Sequence, residues 1–164
     1  MEYLHHPFQP VFDEHSKILI LGSFPSPGSR ENEFYYGGKG NRFWRMLANT
    51  FGEPLPESKE DKIELLLGNG IALWDIVGEC DGFMGASDND IKNPKPNDIS
   101  GIIDACKIKR VLCNGKKAYD FFEAYRKENN LEVETIRLNS TSAANCRNCT
   151  PDLLFGEWER ALKE

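Results

Sequence analysis

The chain has 164 residues, of which 40% are hydrophobic and 11% aromatic, and a formal net charge of −6 at pH 7. That length and composition suit one globular domain over 1–164 and exclude a disordered or fibrous chain. The acidic balance argues against broad, nonspecific attraction to nucleic acid, which needs clustered basic surface, but leaves room for a local basic groove.

The first residues, MEYLHHPFQPVFDEHSK, have neither a basic start nor an apolar signal core, and no apolar run is long enough to span a bilayer. A cytoplasmic location and no membrane contact are therefore expected. His5, His6 and His15 are expected to be surface or tail residues. Lys17–Gly22, KILILG, is the first predicted strand, because a continuous apolar run closed by Gly suits a parallel strand covered on both faces. A long loop from Ser23 to Gly40 follows. Asn41 then opens a helical pattern, NRFWRMLANTF, in which Phe43, Met46, Leu47 and Phe51 share an apolar face. Ser58 with Asp61 three residues on predicts a capped helix ending near Gly68.

IALWDIV (Ile71–Val77) predicts a second strand, and Gly78–Pro96, broken by Gly82, Gly85 and Pro94, a polar surface loop. Asn97 or Asp98 caps a short helix through Cys106. Lys109–Gly115 predicts a third strand, followed by a helix with Ala118, Phe121, Phe122 and Tyr125 at helical spacing. Val133–Asn139 predicts a fourth strand. Thr150 before Pro151 signals a last helix through the N-cap and first-turn preferences of these residues. Strands alternating with helices imply an α/β protein, with three α/β/α layers around a mostly parallel four-stranded sheet. Ligands of such sheets bind beyond the carboxyl ends of the strands. The loops after the first and fourth strands are thus the two expected halves of a site.

Five cysteines, Cys80, Cys106, Cys113, Cys146 and Cys149, are an odd number and do not suggest a disulfide framework. Cys146 and Cys149 form one C-x-x-C. It can be half of a metal site or a redox pair, but no second closely spaced pair supplies further ligands, so incidental thiols are the preferred reading and no metal is expected.

Four segments carry a resemblance to known proteins: GSFPSPGSR (Gly22–Arg30), FYYGGKGNRFW (Phe34–Trp44), NGKKAYDFF (Asn114–Phe122) and LNSTSAAN (Leu138–Asn145). On these the chain resembles the uracil-DNA glycosylase superfamily, and within it the hypoxanthine-DNA (deoxyinosine) glycosylase branch. The resemblance implies a monomeric repair enzyme, without cofactor, acting on DNA that contains a deaminated base. Hypoxanthine is the implied base, and uracil is the alternative. The superfamily usually has Asp or Asn two positions after the strand-ending Gly, where this chain has Phe24; that departure is a feature of the hypoxanthine branch. The catalytically important Asn of that branch maps to Asn41, and an aromatic that stacks on the extruded base maps to Tyr36. The DNA-binding loop, typically Pro-Ser-Thr-Ser-Pro-Ala, reads Asn139 to Ala144 and departs at both prolines. Ser140, Thr141 and Ser142 are the implied DNA contacts, and Ala143 or Ala144 the residue nearest the vacated base position.

Glycosylases take the base out of the stack, so a snug pocket with an aromatic platform is required. Tyr36 and Phe24 can supply the platform, or can be core aromatics that anchor a loop. Asn41 can read the hypoxanthine edge in bidentate fashion, orient water, or cap the first helix; a carboxamide is no general base. Breaking the N-glycosidic bond leaves an oxocarbenium-like sugar and an anionic base. Backbone N–H groups of Gly22, Ser23, Phe24 and Ser26, around Pro25, and of the helix opening at Asn41 are expected to stabilise the departing base. Asn114, at a strand end, is a further pocket candidate. Arg30, Arg42 and Arg147 flank the motifs and can bind phosphate or form surface ion pairs. No lysine but Lys39 lies in the catalytic motifs, so no Schiff base is expected. A non-enzymatic phosphate-binding module ranks last, because neither G-x-G-x-x-G nor the P-loop pattern is present.

Overall fold

The computed structural model describes residues 3–31, 33–81, 91–145 and 149–163. Its centre is a sheet of four parallel strands in the order β3-β2-β6-β7, formed by β2 (Ile18–Gly22), β3 (Ile71–Asp75), β6 (Arg110–Asn114) and β7 (Glu134–Leu138). Side chains alternate across a strand, and β2 shows why its run is apolar throughout. Ile18 and Ile20 join one core, with α2 (Phe43–Phe51), α3 (Lys59–Leu67) and α6 (Pro151–Lys163). Leu19 and Leu21 join the other, with α4 (Ile99–Cys106) and α5 (Lys116–Glu128). The expected three-layer α/β/α architecture is therefore present.

Local signals place the helix ends. Ser58 accepts a hydrogen bond from the Asp61 N–H at 3.0 Å at the start of α3, and Asp98 accepts from Gly101 N–H at 3.2 Å at the start of α4. At α2 the N-cap position is Arg42, one residue later than expected. Asn41 still caps, from outside, by accepting the Phe43 N–H at 3.0 Å.

Two segments differ from expectation. The Ser23–Gly40 loop contains a short helix, α1 (Pro27–Glu31). The second predicted strand stops at Asp75; after Ile76, β4 (Val77–Asp81) leaves the parallel sheet and joins an antiparallel one. There β4 pairs with β1 (Tyr3–His5) on one side and β5 (Lys92–Pro96) on the other, so parts of the supposed surface loop are strand. The reason is the junction: Ile76 N–H and Val77 N–H bond the carbonyls of Gly22 and Ser23, turning the chain just where the site begins. No helix among the described residues is long and apolar enough to cross a membrane.

Candidate active site

Parallel strands put Gly22, Asp75, Asn114 and Leu138 at one edge of the sheet, and a cleft of about 790 Å³ opens beyond them. The predicted residues Gly22, Ser23, Phe24, Pro25, Ser26 and Tyr36 line its first wall. The aromatic motif explains how the wall is held. Phe34 stacks on Trp44 with ring centroids 6.1 Å apart, the Trp44 indole N–H donates to the Tyr35 carbonyl at 2.9 Å, and Tyr36 stacks on Phe43 at 4.1 Å. The two aromatics of N-R-F-W thus grip the three aromatics before the glycines. Phe43 covers one face of Tyr36, and the Tyr36 hydroxyl reaches Gly22. A Cβ at Gly22 would collide with that hydroxyl and with Asp75 Oδ1, so only glycine fits there. Phe24 is buried in the second core, with the His6 ring edge-on at 5.9 Å and the Arg30 guanidinium over its face at 5.9 Å. It anchors the loop and lines the cleft at once.

His6 departs from the tail role expected of it. Its Nε2 lies 2.7 Å from Asp75 Oδ2, and the two side chains are only 4% and 5% exposed. Beside them burial, reinforced by the Asp75 charge, pushes the Tyr35 phenol upward, and the hydroxyl donates to the Gln9 carbonyl at 2.7 Å.

The second wall is a hydrogen-bond relay. Asn114 Oδ1 accepts the Thr141 N–H at 3.0 Å, while its Nδ2 donates to Thr141 Oγ1 at 3.1 Å. Thr141 Oγ1 in turn donates to Asn41 Oδ1 at 2.9 Å, the same oxygen that accepts from Phe43 N–H. Both bonds fix the amide orientation, because a backbone N–H can meet only the oxygen. Asn41 therefore presents donors to the cleft, and its Nδ2 has no hydrogen-bond partner among the described residues. That geometry contradicts a bidentate reading through Oδ1. The helix N-terminus is likewise engaged: Phe43 N–H by Asn41 and Arg42 N–H by the Thr141 carbonyl at 3.0 Å.

Thr141 is fully buried, which corrects its expected role as a DNA contact; it orients Asn41 instead. Asn114, 7% exposed, lines the cleft and holds Thr141. Ser140 and Ser142 line the cleft, and each hydroxyl oxygen accepts a backbone N–H, from Ser142 at 3.1 Å and Ala144 at 3.2 Å. Their hydroxyl protons stay available as donors. Ala143 and Ala144 are exposed at the tip, in a single 3-10 turn. Gly40, at φ 82°, lies against that tip; a Cβ there would come within 3.1 Å of Ala143 Cβ.

Arg42 was expected at the surface on phosphate or in an ion pair, yet it is 1% exposed. Its guanidinium donates to the carbonyls of Cys149 at 2.6 Å, Ser142 at 3.1 Å and Ser140 at 3.4 Å. It ties the loop to the start of α2. Arg30 lies outside the cleft lining, on a neighbouring groove, and Arg147 and Cys146 fall outside the described residues. Cys149 is buried, and burial first, then the Glu157 charge, push its thiol upward. Among the described residues no group of three or more His, Cys, Asp or Glu is placed to hold a metal ion.

Sequence reasoning missed Asp75, His6, Lys116 and Lys117. Asp75 was detectable as a carboxylate closing an apolar strand at the binding edge. Lys116 and Lys117 line the cleft with Lys39 and give an acidic chain a basic rim, with Lys116 also bonded to Asp120 at 2.6 Å. That bond holds the Asp120 carboxyl below its ordinary range.

Comparison with known proteins gives the family and the fold. The family model of the uracil DNA glycosylase superfamily matches residues 9–161. The chain belongs to this superfamily. Among curated relatives, the hypoxanthine DNA glycosylase of Methanosarcina acetivorans is 38% identical over 142 residues, covering 85% of this chain and 87% of the relative. The Methanosarcina barkeri protein of the same name is 39% identical over the same coverage. The solution NMR structure of a candidate uracil DNA glycosylase from M. acetivorans superposes with a TM-score of 0.79 at 35% identity, over 95% of this chain and 94% of that one. The superfamily fold is thus shared over nearly the whole chain.

Proposed function

We propose that this superfamily member is a monofunctional DNA glycosylase that extrudes hypoxanthine from DNA and hydrolyses its N-glycosidic bond. The observation that carries the reading is the fixed carboxamide of Asn41, aimed with its donors into the cleft between the two loops. The names of the two curated relatives support the choice of base.

Cleavage takes the electron pair of the C1′–N9 bond onto the base, leaving a cationic sugar; water adds at C1′ and the proton it sheds neutralises the base anion, giving free hypoxanthine and an abasic site. A donor at the base stabilises the charge that develops there, and removing one such donor costs roughly 10²–10³ in rate. Asn41 Nδ2 fills that role, and no general base is required of it. Tyr36 is the platform for the extruded base, and Phe24 backs the pocket behind it. Gly22 and the backbone of Ser23, Pro25 and Ser26 shape the base pocket. Ser140 and Ser142 donate to phosphates, Ala143 and Ala144 enter the space the base leaves, and Lys39, Lys116 and Lys117 track the backbone. DNA containing a deaminated base is the partner.

The test is single-turnover cleavage of labelled duplexes carrying one hypoxanthine, uracil or xanthine, with EDTA present and alkali added to break abasic sites. Release from hypoxanthine is expected. Release from uracil alone favours the activity named for the solved neighbour, and no release from any duplex overturns the glycosylase reading. Borohydride treatment is expected to trap no covalent adduct.

A further inference from the structure

The Asn41 amide offers donors to the cleft only while its oxygen stays turned to the second wall. We propose that Asn114, at the end of β6, decides that orientation from a distance: it fixes the direction in which the Thr141 hydroxyl points its proton, and so keeps the Asn41 donors facing the base. Asn114 and Thr141 are thus positioning residues of the excision step, and the proposal rests on the glycosylase reading.

Two backbone N–H groups set the polarity of the relay, one at each end. At the far end, Thr141 N–H donates to Asn114 Oδ1 at 3.0 Å. A backbone N–H can meet only the oxygen of an amide, so Asn114 turns its Nδ2 to Thr141 Oγ1, 3.1 Å away. A hydroxyl that receives a proton on one side has its own proton to give on the other. The Thr141 proton therefore goes to Asn41 Oδ1, at 2.9 Å. At the near end Phe43 N–H donates to the same oxygen at 3.0 Å and demands the same orientation. Every side-chain bond then runs one way, from Asn114 to Thr141 to Asn41. Two bonds at the Asn41 oxygen also draw electron density from its nitrogen, so the relay strengthens the donor that it aims.

The frame around the relay fixes its length. Asn114 pairs with Leu138 across the parallel strands, and the Gly115 N–H donates to the Leu138 carbonyl at 2.9 Å. The loop that carries Thr141 thus leaves β7 at a set distance from Asn114. Thr141 is fully buried and Asn114 only 7% exposed, so little water competes for their bonds. Arg42 N–H donates to the Thr141 carbonyl at 3.0 Å, which ties the residue after Asn41 to the same point of the loop.

An isosteric change can reverse the order of protons without changing the shape of the wall. Aspartate has the size of asparagine but only acceptors. In Asn114→Asp one oxygen still takes the Thr141 N–H, while the other draws the Thr141 proton to itself. Thr141 Oγ1 then faces Asn41 Oδ1 lone pair to lone pair, and the amide loses its aim.

The experiment measures single-turnover excision from the hypoxanthine duplex, with duplex affinity and Tm alongside. Asn114→Asp is expected to lower the rate by roughly 10- to 100-fold, within the 10²–10³ that loss of the donor itself costs. Thr141→Val keeps the size and the backbone N–H and is expected to lower the rate by roughly 3- to 10-fold, the worth of one neutral hydrogen bond, with affinity unchanged. Thr141→Ser is expected to recover most of that loss. Combined with Asn41→Ala, Thr141→Val is expected to cost nothing further, because the aim of an absent amide cannot matter. A Thr141→Val loss of equal size with and without the Asn41 side chain, or a lower affinity and Tm at an unchanged rate, means that the relay only shapes the loop and overturns the proposal. An unchanged rate in Asn114→Asp overturns it too, and if that variant fails to fold the Thr141 variants decide. Any of these results beside cleavage by the unaltered protein rejects the relay alone; no cleavage by the unaltered protein rejects the glycosylase reading beneath it.

Discussion

The two walls of the cleft are built by opposite means. The first is aromatic and apolar, with Phe24, Tyr36 and the Phe43 ring beneath it, and contains one buried carboxylate. The second is a relay of small polar side chains, Asn114, Thr141 and Asn41, stiffened by a buried guanidinium that donates to three loop carbonyls. A flat apolar face suits a base taken from the stack, and a polar loop suits the phosphate backbone that must be bent to release it. Asn41 belongs to both, because its oxygen is bonded to the second wall and its nitrogen faces the space between. On the proposed glycosylase reading, the difference assigns base recognition to one wall and strand deformation to the other, joined through one residue.

Breaking the junction should have the largest effect. Asn41→Ala is expected to lower the single-turnover excision rate by roughly 10²–10³, with a small loss of Tm from the missing helix contact, read by thermal melting. Breaking the support of the second wall comes next. Arg42→Met leaves three loop carbonyls without their donor and should reduce unfolding free energy by about 2–4 kcal/mol. Denaturant titration measures that loss, and DNA affinity should fall while preference among bases stays. The rim is milder. Replacing Lys116 and Lys117 by Ala should weaken binding equally for damaged and undamaged duplexes, and reduce the slope of log affinity against log salt by about 0.9 for each phosphate contact removed. A slope that does not move would take these lysines off the DNA path.

The smallest effect lies away from both walls. Arg126 donates to Glu123 through Nε at 3.0 Å and Nη2 at 2.8 Å, and this hydrogen bonding holds the Glu123 carboxyl below its ordinary range. A lowered carboxyl contributes stability above its unfolded pKa and loses it as pH falls through the folded value. Glu123→Gln should therefore lower Tm slightly at neutral pH and match the parent in acid. Excision should be unchanged, which makes it the control for the comparison.

Three strands of the parallel sheet were legible because β2, β3 and β6 are mostly apolar runs closed by Gly, Asp or Asn, as buried strands need, whereas the edge strand β7, ETIRL, shows only partial burial. The small antiparallel sheet was not. Its edge strand reads KNPKP, exposed at every position and carrying two prolines, a pattern that fits an edge strand as well as a loop. Its other outer strand comes from the first residues of the chain, a pairing that no local signal announces. The same distance hid His6: sixty-nine positions separate it from Asp75. Arg42 was misread for a different reason. Arginine is rarely fully buried, and only the carbonyls of a distant loop make its burial tolerable. Asn41 and Tyr36 were singled out by the family resemblance, and the structure puts both on the cleft; which end of the amide faces it required the Thr141 contact.

The most direct test of the Asn41 donor is Asn41→Asp, assayed under single turnover on the hypoxanthine duplex beside Asn41→Ala. The aspartate keeps an oxygen for the Phe43 N–H and Thr141 hydroxyl but replaces the cleft-facing NH₂ by an acceptor. A loss at least as large as that of the alanine variant is predicted, because an anion would face a departing anion. Activity retained or raised in the aspartate variant would contradict the donor role and show that Asn41 serves the attacking water.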